Sequence, residues 1–225
     1  MGFFVYRDRQ GANAPATRRQ RRLIARYLPA LLPLLVCGLP SGPTRPVSGA
    51  AVAQEANEIG DQIAALYENL SSCAASMGDG ERWHIAETIQ REGQRYGYDP
   101  LFVLAMIQVE SSCSSTARGP TGSVGLIQLQ PSVARELARR VGIPWSGTGM
   151  LTHPGVNVKL GLHYLTELEE RFQDPWIAVA AYNLGPGRIA RMPRPLARRT
   201  RYVRRILSRY EKLLAEAAGA VQTPG

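Results

Sequence analysis

Apolar residues recur every three or four positions along most of the chain after residue 54. Ile59, Ile63, Leu66 and Leu70 show this spacing first. Such a repeat places the apolar side chains on one face of a helix that packs against a core. The pattern predicts a mainly α-helical fold, in which only Ser123–Gln130 is a candidate for a small β-hairpin.

Two Asp-Pro pairs mark helix starts within this pattern, at positions 99–100 and 174–175. Asp caps the first free amides of a helix, and the fixed φ of Pro suits the first helical position. The first pair opens a helix that is predicted to run from Leu101 to about Ser111. Other predicted helices cover about 59–70, 85 to Gly93 or Gly97, 131–142, 154–172 and 198–218.

The first 53 residues differ from the rest of the chain. They contain eight arginines and one acid, a 12-residue apolar run from Leu28 to Leu39, and the small residues Ala51-Val52-Ala53. A basic block, a short apolar segment and a small-x-small cleavage site together predict a secretory signal peptide. The apolar run is shorter than the roughly 20 residues of a membrane-spanning helix. An uncleaved membrane anchor is the alternative.

The leader also explains most of the basic character of the chain. The formal net charge is +9, of which residues 1–53 supply +7 and residues 54–225 only +2. This distribution gives weak support for nucleic-acid binding, and we predict no nucleic-acid partner. One basic segment remains, Arg188–Lys212, with ten basic residues and one acid. It is either a solvated helix face or a surface that contacts anionic wall polymer or membrane.

Two cysteines, Cys73 and Cys113, follow the predicted cleavage site. In an oxidising compartment they either pair in a disulfide or remain separate thiols. The sequence contains no CxxC motif or His/Cys cluster, and His153 and His163 are ten residues apart, which suits no helical ligand pair. We therefore predict neither a metal site nor a cofactor.

Glu110 is the most informative single residue, because it follows an almost entirely apolar helix sequence. Val103, Met106 and Ile107 share its predicted face. A buried carboxyl without a basic partner has a raised pKa and stays protonated, as a general acid requires. The alternative is a carboxylate that turns to solvent at the helix end or bonds to loop amides.

Three short segments occur in a recognisable order: Glu110–Ser112, Gly125–Pro131 and Ala181–Gly187. Together they resemble the catalytic domain of the soluble lytic transglycosylases, relatives of goose-type lysozyme. The resemblance covers about residues 82–212. It implies a lysozyme-like helical domain with an active-site cleft. It also implies cleavage of the β-1,4 bond between N-acetylmuramic acid and N-acetylglucosamine in the glycan strands of bacterial peptidoglycan.

The resemblance assigns roles to single residues. Glu110 matches the catalytic acid of the family, and the residues that match its substrate-binding positions are Ser111, Gln128, Tyr182, Asn183 and Tyr202. The residues themselves leave structural alternatives open. Tyr182 also suits a core position and Gln128 a backbone hydrogen bond. Ser111 and Asn183 also suit the end of a helix.

The motifs supply one carboxylate, whereas most glycoside hydrolases use two. The resemblance implies that the C6 hydroxyl of the sugar attacks instead of water, which gives a 1,6-anhydro product. A hydrolytic lysozyme and a non-catalytic peptidoglycan-binding module of a secretion apparatus are the alternatives. The predicted domains are a signal peptide (1–53), an N-terminal helical extension (54–80), the catalytic domain (81–215) and a flexible tail (216–225). Export places the protein in the periplasm or cell envelope of a bacterium.

Overall fold

The computed structural model describes residues 49–73 and 77–220. Apart from residues 49–53, the predicted signal peptide lies outside the described residues, and so does the end of the predicted tail, 221–225. None of the helices in the described ranges is both long and apolar enough to cross a membrane. These helices are α1 (Gly49–Ser71), α2 (Asp79–Tyr96), α3 (Pro100–Ser111), α4 (Pro131–Arg140), α5 (Pro154–Phe172), α6 (Pro175–Leu184), α7 (Pro186–Ile189), α8 (Arg194–Ala197) and α9 (Arg201–Ala220), with a 3-10 helix at Thr148–Thr152.

Most predicted helices form near their expected positions, and the differences have local causes. α1 begins at Gly49 and therefore includes the predicted cleavage site. α2 continues through Gly93 and ends at Tyr96. Its C-cap is Gly97, whose φ of 77° is the left-handed conformation that stops helices. The last helix begins at Arg201 rather than Arg198, because the separate short helix α8 follows Pro193 and interrupts the chain before it.

Both Asp-Pro pairs cap helices, as the sequence predicts. Oδ1 of Asp99 accepts a hydrogen bond from a backbone amide of α3 at 2.8 Å, and Oδ1 of Asp174 accepts from two amides of α6 at 3.1 Å. Each carboxylate also binds a later element. Tyr210 donates to Oδ2 of Asp99 at 2.7 Å, and Nε of Arg198 donates to Oδ2 of Asp174 at 2.6 Å. The caps thereby fix the starts of α3 and α6 against the C-terminal part of the chain.

The centre of the core is α3. Its residues 102–107 are all buried, and both α2 and α9 pack on it. α5 packs against α2 and α6 and completes this core. A helix that is covered on every side needs no polar face. The packing therefore explains why the sequence of α3 is apolar almost throughout.

The candidate hairpin is a compact loop that contains two isolated β-bridges, from Arg118 to Val124 and from Val124 to Leu129. No strand longer than these single bridges occurs among the described residues. Gly125 and Gln128, with φ of 86° and 48°, turn the chain too sharply for a ladder to extend. The prediction of a mainly α-helical fold is confirmed, and the loop lies against α5, where it builds one wall of the site described next.

Candidate active site

Glu110 lies in the last turn of α3, at the point where the buried helix reaches the surface. The hydroxyl of Tyr202, in the first turn of α9, donates a hydrogen bond to Oε1 of Glu110. Tyr202 itself is buried, with 8% of its surface exposed. The carboxyl is therefore enclosed on the protein side and held in one orientation by a neutral phenol.

Burial is the strongest influence on the Glu110 carboxyl and raises its pKa above the ordinary value. The hydrogen bond from Tyr202 and the charge of the Arg205 guanidinium favour the ionised form and oppose this rise in pKa. Burial and the nearby Glu110 charge also raise the pKa of the Tyr202 phenol well above its ordinary value. The carboxyl therefore keeps its proton to higher pH than an ordinary glutamate does, beside a phenol that stays neutral.

Tyr182 projects from α6 toward the same region. Its hydroxyl donates to the backbone carbonyl of Ile127 at 2.9 Å, and its ring centroid lies 5.5 Å from that of Tyr164. Burial raises the pKa of Tyr182 well above its ordinary value, and the charge of Glu110 acts in the same direction. The phenol therefore joins the loop to α6 within electrostatic reach of the carboxyl.

The wall of the site requires a close approach between α5 and the loop. A Cβ added at Gly161 would lie 1.8 Å from Cδ1 of Ile127 and 2.9 Å from the hydroxyl oxygen of Tyr182. Any side chain at this position would displace both groups. Gly161 therefore allows the backbone of α5 to support the contact between Ile127 and Tyr182.

Asn157 is a site-building residue that the sequence analysis missed. Its side chain is completely buried in α5. Oδ1 accepts from the backbone amide of Ile127 at 2.9 Å, and Nδ2 donates to the backbone carbonyl of Val124 at 2.9 Å. A Cβ at Gly125 would meet Nδ2 at 2.4 Å, so the amide and the glycine fit together. The available signal was a single amide among the apolar residues of α5, because a buried amide needs partners.

Gln128 uses its side-chain amide within the loop. Nε2 donates to the carbonyls of Ala117 at 3.2 Å and Gly125 at 3.0 Å, and Oε1 accepts from the hydroxyl of Ser123 at 2.7 Å. These are the backbone hydrogen bonds that the sequence analysis gave as the alternative to a sugar contact. Both amide protons are used, and only Oε1 has capacity for a further donor. A sugar contact through Oε1 stays a prediction.

In the described part of the chain, neither of the two remaining predicted residues, Ser111 and Asn183, forms a hydrogen bond with Glu110. The hydroxyl of Ser111 donates to the carbonyl of Ile107 at 3.1 Å, which is a bond within α3. Asn183 is exposed near the end of α6. The helix end is instead capped by the amide of Gly185, which donates to the carbonyl of Ala181. Substrate contacts of Ser111 and Asn183 stay predictions.

A disulfide joins Cys73 to Cys113, with their Cα atoms 6.0 Å apart. It ties the segment after α1 to the loop that begins directly after α3. In that loop Ser112 and Cys113 both have positive φ, 51° and 68°, which is unusual for residues other than glycine. The disulfide therefore holds a sharply turned segment three residues from Glu110.

Comparison with known proteins agrees with this geometry. The family model of the Transglycosylase SLT domain matches residues 87–199, about half of the chain. The soluble lytic murein transglycosylase of Salmonella typhimurium is 34% identical over 90 residues, which cover 39% of this chain and 14% of that protein. The endo-type membrane-bound lytic murein transglycosylase A of Klebsiella pneumoniae is 32% identical over 114 residues, which cover 45% of this chain and 55% of that protein. The chain thus spans only part of the length of these relatives.

Solved structures show the same relationship. An inactive glutamate-to-glutamine mutant of the lytic transglycosylase Slt from Pseudomonas aeruginosa matches with a TM-score of 0.52 and 29% identity. The match covers 75% of this chain and 30% of that one. The 70 kDa soluble lytic transglycosylase from Escherichia coli, with 23% identity and a TM-score of 0.52, shares the fold. By its matching domain and its helical architecture, this chain belongs to the Transglycosylase SLT domain family.

Proposed function

We propose that this protein is a peptidoglycan lytic transglycosylase in which Glu110 is the single acid and base. It cleaves the β-1,4 bond between N-acetylmuramic acid and N-acetylglucosamine and leaves a 1,6-anhydro-N-acetylmuramic acid end. The observation that carries the proposal is the partly buried Glu110 carboxyl, whose pKa is raised and which Tyr202 orients. The names of the relatives, and the inactive glutamate-to-glutamine mutant among the solved structures, support it.

In the first step the protonated Glu110 donates its proton to the glycosidic oxygen as the bond to C1 breaks. A raised pKa keeps that proton available to higher pH than in an ordinary glutamate. The hydrogen bond from Tyr202 strengthens as the carboxylate forms, because a charged acceptor binds a donor more tightly than a neutral one. Tyr202 therefore stabilises the state that follows proton transfer.

In the second step the Glu110 carboxylate removes the proton of the C6 hydroxyl, whose oxygen closes on C1. The attacking group belongs to the same sugar, so a high effective concentration replaces an activated water. The 2-acetamido group of the substrate balances the positive charge that develops at C1. The hydroxyl of Tyr182 donates a hydrogen bond to the backbone carbonyl of Ile127, so its oxygen is free to accept a hydrogen bond from the acetamido N–H.

A hydrolytic lysozyme would need a second carboxylate, and three of the four acids nearest to Tyr182 in the chain, at the end of α5 and before α6, are engaged elsewhere. Glu167 pairs with Arg140 at 2.6 Å, and Asp174 caps α6. Burial raises the pKa of Glu169 to about 7, but its hydrogen-bonding neighbour is Tyr98. Glu170 is exposed. These contacts favour the transglycosylase over the lysozyme.

The proposal includes export of the chain to the bacterial periplasm or cell envelope, with the catalytic domain at 81–215 after the extension at 54–80. Expression in a bacterium followed by N-terminal sequencing tests this part. A mature chain that begins at Gln54 is the expected result. An intact N-terminus in the membrane fraction would instead indicate an uncleaved anchor.

The activity is tested by incubating the purified protein with peptidoglycan and weighing the released muropeptides. Products lighter than the hydrated forms by one water, and absent with Glu110→Gln, are the expected result. Hydrated products would indicate a lysozyme. If neither protein releases products although both are folded and bind the polymer, the binding-module alternative is correct.

A further inference from the structure

A groove with a volume of about 710 Å³ lies between the end of α3 and the outer face of α9. α3 supplies Gln108 and Val109, the residue after its end supplies Ser112, and Cys73 of the disulfide also contributes. The six remaining lining residues all belong to α9. Five of them are basic, namely Arg201, Arg204, Arg205, Arg209 and Lys212, and the sixth is Ser208. No acidic residue lines the groove.

The positive charge of this groove is poorly neutralised. Lys212 has a carboxylate partner, Glu216, at 3.7 Å. For the four arginines, the described part of the chain provides no ion pair within 4.0 Å. Residues four apart on a helix are neighbours, so Arg201, Arg205 and Arg209 form a like-charged row whose members repel one another. An anion in the groove would relieve this repulsion.

The groove begins beside Glu110 and Tyr202. Arg201 precedes Tyr202 in the chain, and the Arg205 charge reaches Glu110 closely enough to lower the pKa of its carboxyl. From Arg201 to Lys212, α9 rises about 16 Å, at 1.5 Å per residue. An extended peptide of about five residues has the same length, at roughly 3.3 Å per residue. The groove is thus long enough for a short peptide attached to a sugar bound at Glu110.

We infer that this groove binds the carboxylate-bearing peptide that N-acetylmuramic acid carries in peptidoglycan. The inference rests on the proposed function, because the sugar at Glu110 brings the peptide to the groove. Guanidinium groups bind carboxylates through two parallel hydrogen bonds, so a row of arginines suits a peptide with several carboxylates. The lining follows α9 for about 16 Å and includes residues of α3 on the other side, which suits a narrow chain.

The test compares binding to two polymers in the Glu110→Gln background, where no turnover occurs. One polymer is peptidoglycan with its peptides, and the other is glycan from which an amidase has removed the peptides. Arg201→Gln/Arg204→Gln replaces two exposed groove arginines. The matched control, Arg191→Gln/Arg199→Gln, removes the same charge from exposed positions of the same basic segment outside the groove. Thermal unfolding verifies that every variant is folded.

The expected result is that the protein binds peptide-bearing strands with an affinity about tenfold or more higher than that for peptide-free glycan. The groove variant loses most of this preference, and the control retains it. Vesicles containing phosphatidylglycerol form a third arm. Equal binding of the two polymers, an equal loss in both variants, or a groove-dependent preference for the vesicles alone would each overturn the inference. None of these readouts needs catalysis, so a failed activity assay would be distinguishable.

Discussion

Tyr202 and Glu110 are 92 positions apart in the chain, and the phenol of the first donates a hydrogen bond to the carboxyl of the second. Burial raises the pKa of this carboxyl, whereas the hydrogen bond lowers it. Together with the charge of Arg205, the two effects set the pH at which Glu110 loses its proton. The contact thus links the packing of α9 on α3 to the proposed chemistry.

Glu110→Gln should lower the rate of glycan cleavage by about 1000-fold or more, because the amide can neither donate nor remove the proton. Release of anhydro-muropeptides from peptidoglycan measures this rate. Glu211→Gln, an exposed position in α9, is the control and should retain the original rate. Comparable activity in the two variants would exclude Glu110 as the acid.

Tyr202→Phe should move the alkaline limb of the pH–rate profile to higher pH. The hydrogen bond from Tyr202 lowers the pKa of Glu110, so its loss lets that pKa rise and keeps the carboxyl protonated to higher pH. The maximal rate should fall, because the carboxylate loses its donor. The profile of kcat/KM against pH measures both effects. Tyr210→Phe also removes a phenol from α9, at the bond to Asp99, and should leave the limb unmoved.

Glu110→Gln should also be more stable than the original protein at neutral pH. A carboxyl whose pKa is raised by folding stabilises the fold below its unfolded pKa, and this contribution disappears as pH rises through the folded pKa. The amide does not titrate, so the difference in melting temperature should grow as the pH rises above about 4, the pKa of an unfolded glutamate. Thermal unfolding at several pH values measures it. A constant difference would mean that the Glu110 pKa is not raised.

Asn157→Ala should destabilise the protein by about 1–3 kcal/mol, because it leaves the buried backbone amide of Ile127 without its partner. The carbonyl of Val124 loses one donor but still accepts from the backbone amide of Leu129 at 3.1 Å. Activity should fall as well, since the amide and carbonyl of Ile127 belong to the loop that holds Tyr182. Urea unfolding and the peptidoglycan assay measure the two effects. Asn69→Ala is the control, because Asn69 bonds only to a carbonyl of its own helix, and should cost less than about 1 kcal/mol.

Replacing both cysteines with alanine should lower the free energy of unfolding by about 3–4 kcal/mol. The disulfide joins residues 40 positions apart, and a loop of that length restricts the unfolded chain by this amount. Activity per folded molecule should fall too, because the disulfide holds the turn that follows Glu110. Denaturant unfolding with and without reductant gives the first value. An unchanged midpoint would mean that the bond contributes little to stability.

The sequence indicated the elements of the fold well, since local chemistry determines them. The Asp-Pro pairs start α3 and α6, and Gly97 stops α2, because each depends on residues within one turn. The start of α9 was placed three residues early, because Pro193 begins a separate helical turn that the apolar pattern does not reveal. Gln128 was assigned to a sugar contact or to the backbone, and only the structure shows its backbone partners across the loop, while the sugar contact stays a prediction.

By itself, the sequence determined a helical protein with an apolar central helix that ends in a carboxyl, together with the order of the three motifs. Only the tertiary structure decided that Tyr202 meets Glu110, that Asn157 supports the loop, and that four arginines of α9 share one groove. The reason is physical. Helix formation and capping depend on neighbours in the chain, whereas hydrogen bonds and electrostatic fields depend on distance in space. Packing of α9 against α3 brings together residues whose spacing in the sequence carries no signal.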